Sequence, residues 1–276
     1  MSIEPEAIIV QRRHYGRMIS AALVLVALAA IVRAFAVGQI EWEYVGRFLT
    51  APVILAGLVN TILMAILAML LGLVLGVVFA IMRLSPNPVL STTALGYIWF
   101  FRAIPVLLQL LLWYNLALIF PTIGIPGVFS YRTVEVMTPF AAALLGLGIQ
   151  QGAFTAEVVR AGLLSVDQGQ YEAAQTLGMT RLQLLHRIIM PQAMRVIVPP
   201  VGNEFIGMVK LTSLASVVQF SEILYTAQSI YYANSRVIEL LIVAAFWYLV
   251  VVTVLSLIQG RIEAYYARGV AVAGRR

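Results

Sequence analysis

Gln170-Tyr171-Glu172-Ala173-Ala174-Gln175-Thr176-Leu177-Gly178, followed at a distance by Ile188-Ile189-Met190-Pro191, is a polar stretch between two very apolar halves of the chain. It reads as two short helices. Ala173, Ala174, Gln175 and Leu177 favour the first, Gly178 supplies the break, and Arg181 to Ile189 can form the second. Pro191 suits the first turn of the helix that follows. Tyr171, Leu177 and Met179 are large apolar side chains on a segment too short to bury them in itself. Small Ala173 and Ala174 leave one face thin enough to enter another protein's groove. The local physics points to a knob for a partner.

The halves that flank this knob belong in a membrane. Of 276 residues, 62% are hydrophobic and 11% charged, against roughly 25% charged in a soluble domain. A net charge of +6 does not indicate nucleic acid here, because the basic residues sit in short loops between apolar runs. With no cysteine in the chain, a disulfide framework, a thiolate metal site and a Cys nucleophile are excluded. His14 and His186 lie far apart in polar segments and read as surface residues rather than metal ligands.

Six runs read as spans of an all-α, polytopic helical bundle. Met18 to Val37 follows Arg12, Arg13 and Arg17; it is longer than a signal h-region, lacks a tidy cleavage site, and is expected to stay as a span. Pro52 to Met82 is overlong for a bilayer and carries Gly72 and Gly76 at i, i+4, which lets another helix approach. Gly96 to Phe120 opens on Tyr97, Trp99, Phe100 and Phe101 as an interfacial cluster, with Arg102 a turn inside and Pro105 loosening the helix beyond it. Pro121 to Pro139 is a loop. Phe140 to Val159 and Ala193 to about Val218, the latter interrupted by Pro199-Pro200, flank the knob. Residues 219–236 form an amphipathic stretch, interfacial or re-entrant, and Val237 to Ile258 is the last span. The organisation is a segment 1–17, a first transmembrane helix 18–37, a core domain 53–260 containing the loop 165–191, and a tail 261–276.

Charge decides orientation. Twelve arginines fall on the side of the knob and the termini, and only Arg47, Arg132 and Arg236 on the other. This places both termini and the knob in the cytoplasm.

Glu-Ala-Ala at 172–174, Gly178, Ile188 and Pro191 resemble the cytoplasmic "EAA" loop of permease subunits in bacterial ABC importers. Asn60-Thr61, Phe101-Arg102-Ala103-Ile104-Pro105, Asn203-Glu204-Phe205 and Lys210-Leu211-Thr212-Ser213-Leu214 are similar to the polar amino-acid branch. Met190 stands where the loop usually has Leu, a volume-conserving swap, while Ala103-Ile104 departs from the branch's commoner Gly-Thr, which leaves the substrate subgroup open. The resemblance implies a type I permease-like fold in the bacterial inner membrane, in which Tyr171, Glu172, Ala173, Ala174, Leu177, Gly178 and Met179 dock a pair of ATPase subunits. It also implies a second permease chain, identical or sister, and an extracytoplasmic solute-binding protein. The one lysine, Lys210, follows Val209 rather than glycine, so no G-x-x-x-x-G-K-[ST] loop exists here. ATP and magnesium are therefore expected in the partner, and no cofactor or metal in this chain.

Polar residues at membrane depth mark a path for cargo. The candidates are Asn60, Gln109, Gln150, Gln151, Asn203, Glu204, Lys210, Thr212 and Ser213, with Asn115 nearby. A zwitterionic amino acid needs both charges paired once dehydrated. Glu204 suits the ammonium and Lys210 the carboxylate; bracing between helices is the alternative role for both. Arg102 and Glu157, each a turn from the same boundary, can form an ion pair that gates or braces the inner face. The leading function is the membrane permease of an ATP-driven importer for a polar amino acid or a related compound such as an opine. The alternative is an ion-coupled secondary transporter with Glu204 as the titrating group. An embedded enzyme is disfavoured by the lack of a metal cluster, a thiol or a G-x-S-x-G elbow.

Overall fold

A computed structural model describes residues 15–125 and 127–267. Arg12, Arg13, His14, Pro126, Arg268, Arg275 and Arg276, together with most of the expected segments 1–17 and 261–276, lie outside the described residues. The chain divides into two units at Tyr44/Val45. In the first, α1 (Tyr15–Val37) is 23 residues of apolar helix without a buried residue, long enough to cross a bilayer. The short helix α2 (Trp42–Leu49) straddles the division.

In the second unit α3 (Pro52–Arg83) starts with proline in its first turn and runs 32 residues. α4 (Pro88–Ala103) begins at Asn87, whose side chain accepts from the Val89 N–H, an N-cap with proline behind it. α5 (Val106–Tyr114) follows after a break. A β-hairpin then pairs β1 (Thr122–Ile125) antiparallel with β2 (Phe129–Arg132), in the register Thr122 to Arg132. After the single turn α6 (Thr133–Val136) comes α7 (Pro139–Leu164), capped by Thr138. α8 (Gln168–Thr176) and α9 (Arg181–Leu184) are short; α10 (Met190–Leu211), α11 (Ile223–Asn234) and α12 (Val237–Tyr266) complete the chain.

α3 and α7 form the centre, and their close approach has a sequence cause. A Cβ on Gly72 would lie 2.5 Å from Gln151 Cγ, and one on Gly76 2.6 Å from Thr155 Cβ. From the other side, Gly148 sits under Leu71 and Gly152 under Leu75 and the Tyr97 hydroxyl. Glycines on each helix thus receive side chains from the other, the small-residue packing that membrane helices use in place of a hydrophobic driving force. Leu110, Leu147, Met208, Val209 and Val218 close one core against Met64 and Ala68. Val159, Val166, Leu184, Ile189 and Ile197 close another around Ala80.

Several sequence expectations change. Four helices among the described residues, α1, α3, α7 and α12, are long and apolar enough to cross a membrane, and a fifth span results if α4 and α5 count together. α10 has the length of a span, 22 residues, but is more polar and is not among them. The expected third span is broken: α4 and α5 meet at 100°, because Ile104 turns extended at ψ 129° ahead of Pro105. Tyr97 of the expected aromatic cluster faces the bundle. The helix starts eight residues earlier than the apolar run suggests, so Tyr97 stacks on Phe79 at 3.7 Å and donates to the Ile149 carbonyl at 2.6 Å. Pro199 and Pro200 do not interrupt α10, which passes through both. The expected loop 121–139 contains the hairpin.

Residues 219–236 resolve into α11, too short at 12 residues to span a bilayer. Gln219 turns the chain at φ 63°, and Glu222 caps the helix. Its Oε2 accepts from the Leu224 N–H and the Tyr248 hydroxyl, and its Oε1 from the Tyr225 N–H. Thr61 Oγ1 accepts from the Ile223 N–H at 3.2 Å and ties α11 to α3. Replacing Glu222 with alanine removes the cap and leaves buried donors unmet, at a cost of about 2–4 kcal/mol. We expect a clear fall in thermal unfolding temperature in detergent; an unchanged transition would show that α11 is held by packing alone.

Candidate functional site: the knob and the polar path

The knob is built as the residue types dictate. Asp167 caps α8 through the Gly169 N–H. At its end the Gly178 N–H reaches the Gln175 carbonyl and the Met179 N–H the Ala174 carbonyl, with Gly178 at φ +70°. This is a Schellman stop, which glycine adopts without the Cβ penalty. Thr180 and Gln183 then cap α9 reciprocally.

Two features differ from expectation. Ala173 and Ala174 do not share a thin face, since neighbours on a helix point about 100° apart. Ala174 is buried against Val166, Leu184 and Ile189 of its own chain, while Ala173 is exposed. Tyr171 and Met179 are half-buried on the same cluster. Leu177 alone of the three large apolar residues projects, 79% exposed, beside exposed Glu172 and Gly178. Second, the knob's second helix is not free-standing. α9 passes through a π-helical turn, Leu185–Ile189, straight into α10. The wider i→i+5 turn brings Pro191 to the start of α10, where no N–H is required of it. The knob is therefore bolted at one end to the second core and continuous at the other with α10.

α10 carries Glu204 into the bundle. Glu204 Oε2 accepts from Gln151 Nε2 at 2.7 Å and from Thr155 Oγ1 at 3.3 Å. Those two side chains are the ones that fill the notches at Gly72 and Gly76, so α3, α7 and α10 meet at this carboxylate. Gln150 is half-buried one residue away. Thr155, unremarked in the sequence, is placed by its spacing of four from Gln151.

The remaining candidates disperse. Lys210 is exposed in the last turn of α10, where its charge suits the helix dipole. Six residues from Glu204 it points about 120° away, so the chain does not gather the two charges into one site. Asn203 Nδ2 donates to Glu263 Oε1 at 2.8 Å, and Gln259 Nε2 to the Pro199 carbonyl and Glu263. Together they clasp α10 to α12. Thr212 and Ser213 turn their hydroxyls back to Val209 and Lys210 carbonyls, and Asn115 does likewise to Leu111. Asn60 Nδ2 donates to the Ser221 carbonyl at 2.8 Å, beside a cleft of about 220 Å³ between α3 and α11. Gln109 is buried at the elbow of α4 and α5.

The expected Arg102–Glu157 pair is not formed. Glu157 pairs with Arg160 one turn away at 2.8 Å, and the Arg102 guanidinium lies over the Phe154 ring, 5.1 Å from its centroid. Residues at i,i+3 are neighbours on one helix surface, so Arg160 is at hand for Glu157. Tyr248 lies inside the last apolar run and Gln259 and Glu263 just past its end, where their i,i+4 spacing is the signal that the sequence offers.

Residues 71–267 match the family described as "binding-protein-dependent transport system inner membrane component". The chain is 37% identical to the arginine transport system permease protein of Corynebacterium glutamicum over 259 residues, 93% of this chain and 82% of that protein. It is 35% identical to the L-cystine transport system permease protein of Bacillus subtilis over 233 residues, 84% of this chain and 94% of that one. A crystallised amino acid ABC transporter solved with histidines superposes with a TM-score of 0.71 and 32% identity, covering 82% of this chain and 99% of that chain. The inward-facing methionine ABC transporter MetNI, at 18% identity and a TM-score of 0.59, shares the fold. The motifs, the glycine-packed bundle and these matches agree: the chain belongs to the family of inner-membrane components of binding-protein-dependent transport systems.

Proposed function

We propose that the chain is the permease subunit of an ATP-driven importer for a polar amino acid or a related compound. ATPase subunits, which hold the ATP and magnesium, dock on the knob. A second permease chain completes the path, a solute-binding protein delivers cargo on the opposite face, and both termini lie in the cytoplasm. The arginine, cystine and glutamine transport named for relatives supports the cargo class. One observation carries the mechanism: the helix is continuous from Arg181, three residues past Gly178 of the knob's turn, through α9 and its π turn into α10, which bears Glu204. A push on Leu177 and Gly178 is thereby delivered to the α3–α7–α10 junction rather than absorbed by a loop.

At that junction Glu204 receives the cargo's ammonium, or another cationic group, with Gln151 and Thr155 holding the carboxylate in place. The complex in proteoliposomes, loaded with ATP and offered radiolabelled arginine, cystine and glutamine, tests this. Glu204→Gln keeps the size and loses the charge. Charged hydrogen bonds contribute about 1.5–3 kcal/mol, so uptake of the accepted cargo should fall at least tenfold while basal ATP hydrolysis persists. Full uptake by the variant would remove Glu204 from the path, and uptake independent of ATP would overturn the energy source.

A further inference from the structure

One stripe of α12 changes character along its length. Val254, Leu257 and Ile258 are 51%, 67% and 49% exposed. Arg261 and Tyr265 continue the stripe at exposed positions, since steps of three and four residues keep side chains on one helix face. The apolar run from Val237 to Ile258 of α12 rises about 33 Å, one hydrocarbon thickness. Arg261 and Tyr265 therefore fall about 5 and 10 Å past its end, at the depth of the lipid headgroups.

The start of α10 lies at the same level. Pro191, Met194 and Arg195 line a pocket of about 430 Å³ with Tyr265 and Tyr266. The two tyrosine rings meet edge to face, with 5.3 Å between centroids. Among the described residues the ion pairs are Arg132–Glu135 and Arg160–Glu157, which leaves neither exposed Arg195 nor Arg261 paired to a carboxylate. Glu263 points about half a turn round α12 from Arg261, where it accepts from Asn203 and Gln259.

Two guanidiniums at headgroup depth, with tyrosines beside them and exposed hydrocarbon on the same stripe above, complement a phosphate that carries acyl chains. The planar guanidinium matches phosphate oxygens in pairs, and tyrosine suits the boundary between hydrocarbon and water. A headgroup with its own ammonium would bring a third positive charge to a site without a free carboxylate. We infer that this pocket holds the headgroup of an anionic phospholipid from the leaflet on the knob's side, its phosphate met by Arg195 and Arg261 and its acyl chains lying on Val254, Leu257 and Ile258. The lipid straps the end of α12 to the start of α10, the helix into which the knob runs. It is a membrane component, separate from the cargo at Glu204.

The assembled transporter in nanodiscs carrying photoreactive phosphatidylglycerol, or photoreactive phosphatidylcholine with the same acyl chains, tests the site, the labelled peptides being mapped by mass spectrometry. Phosphatidylglycerol should label 191–195 and 254–266, and phosphatidylcholine should label them no more than the rest of the lipid-facing surface. Each basic residue near an anionic membrane surface contributes about fivefold in binding, so Arg195→Gln or Arg261→Gln should cut the labelling about fivefold and the double variant about thirtyfold. ATPase co-purification and the unfolding temperature should not change, and Arg195→Lys, which keeps the charge, should keep most of the labelling. Equal labelling by the two lipids, or full labelling of the double variant, would overturn the role of the arginines. Loss of labelling on adding glycerol phosphate would assign the pocket to a soluble phosphate instead of a lipid. Benzoylphenylalanine in place of Tyr265 should capture lipid; capture of the second permease chain or of the ATPase would give this face to that chain and overturn the proposal.

Discussion

Leu177→Asp is expected to release the ATPase subunits from the permease while leaving the permease folded. The side chain is 79% exposed at the Schellman turn of Gly178, whereas Ala174 is buried in the second core. An apolar anchor at the centre of an interface commonly contributes 2 kcal/mol or more, about 30-fold in affinity. The aspartate adds the cost of burying a charge without a partner. Co-purification of the ATPase should fall by that factor or more, ATP-driven uptake should be lost, and the permease should unfold at its usual temperature. Ala174→Leu is the contrasting variant, since it overpacks the second core and lowers stability as well as coupling. If Leu177→Asp retained its ATPase and transported at full rate, the knob would not be the docking surface.

The second large effect is structural. Gly76→Leu should abolish accumulation of folded protein. Its Cβ alone would sit 2.6 Å from two carbons of Thr155 and 3.1 Å from the backbone nitrogen of Ala156, so moving a flexible side chain does not relieve the clash. α3 cannot simply retreat, because Leu71 and Leu75 are seated on Gly148 and Gly152. Overpacking a fitted core costs about 1–3 kcal/mol, and here the whole leucine side chain beyond Cβ has no space. Displacing Thr155 also strips a donor from Glu204. Size-exclusion profiles and thermal unfolding in detergent report the outcome, with Gly207→Ala as control, since nothing lies within 4 Å of that position. A monodisperse, wild-type-stable Gly76→Leu protein would refute the interlock.

The two predictions draw on different layers of the chain. The knob's caps were written locally: Gly178 forces the stop of α8, and Thr180 with Gln183 starts α9. Gly72 and Gly76 announced a close approach, but the helix they meet and the residues that fill the notches were not visible along the chain. The same holds for polar side chains. Glu204 remained a strong candidate because Gln151 and Thr155 come to it from 53 and 49 residues away. Asn203 and Lys210, neighbours in sequence, go elsewhere, one to Glu263 and the other outward.

Residue chemistry by itself determined that this chain enters a membrane, where the first helix of the knob stops, and that it presents a polar knob without a phosphate-binding loop. These follow from composition, caps and spacing, which act over a few residues. Only the tertiary structure decided that the Arg102–Glu157 pair is replaced by Glu157–Arg160, that Pro105 breaks a span while Pro199 and Pro200 do not, and that Gln109 donates to the Phe101 and Ile104 carbonyls at the break. The reason is that a freed carbonyl or a buried charge is settled by whichever partner the packing brings within about 3 Å, and neighbours in space are chosen by helix packing rather than by the order of residues.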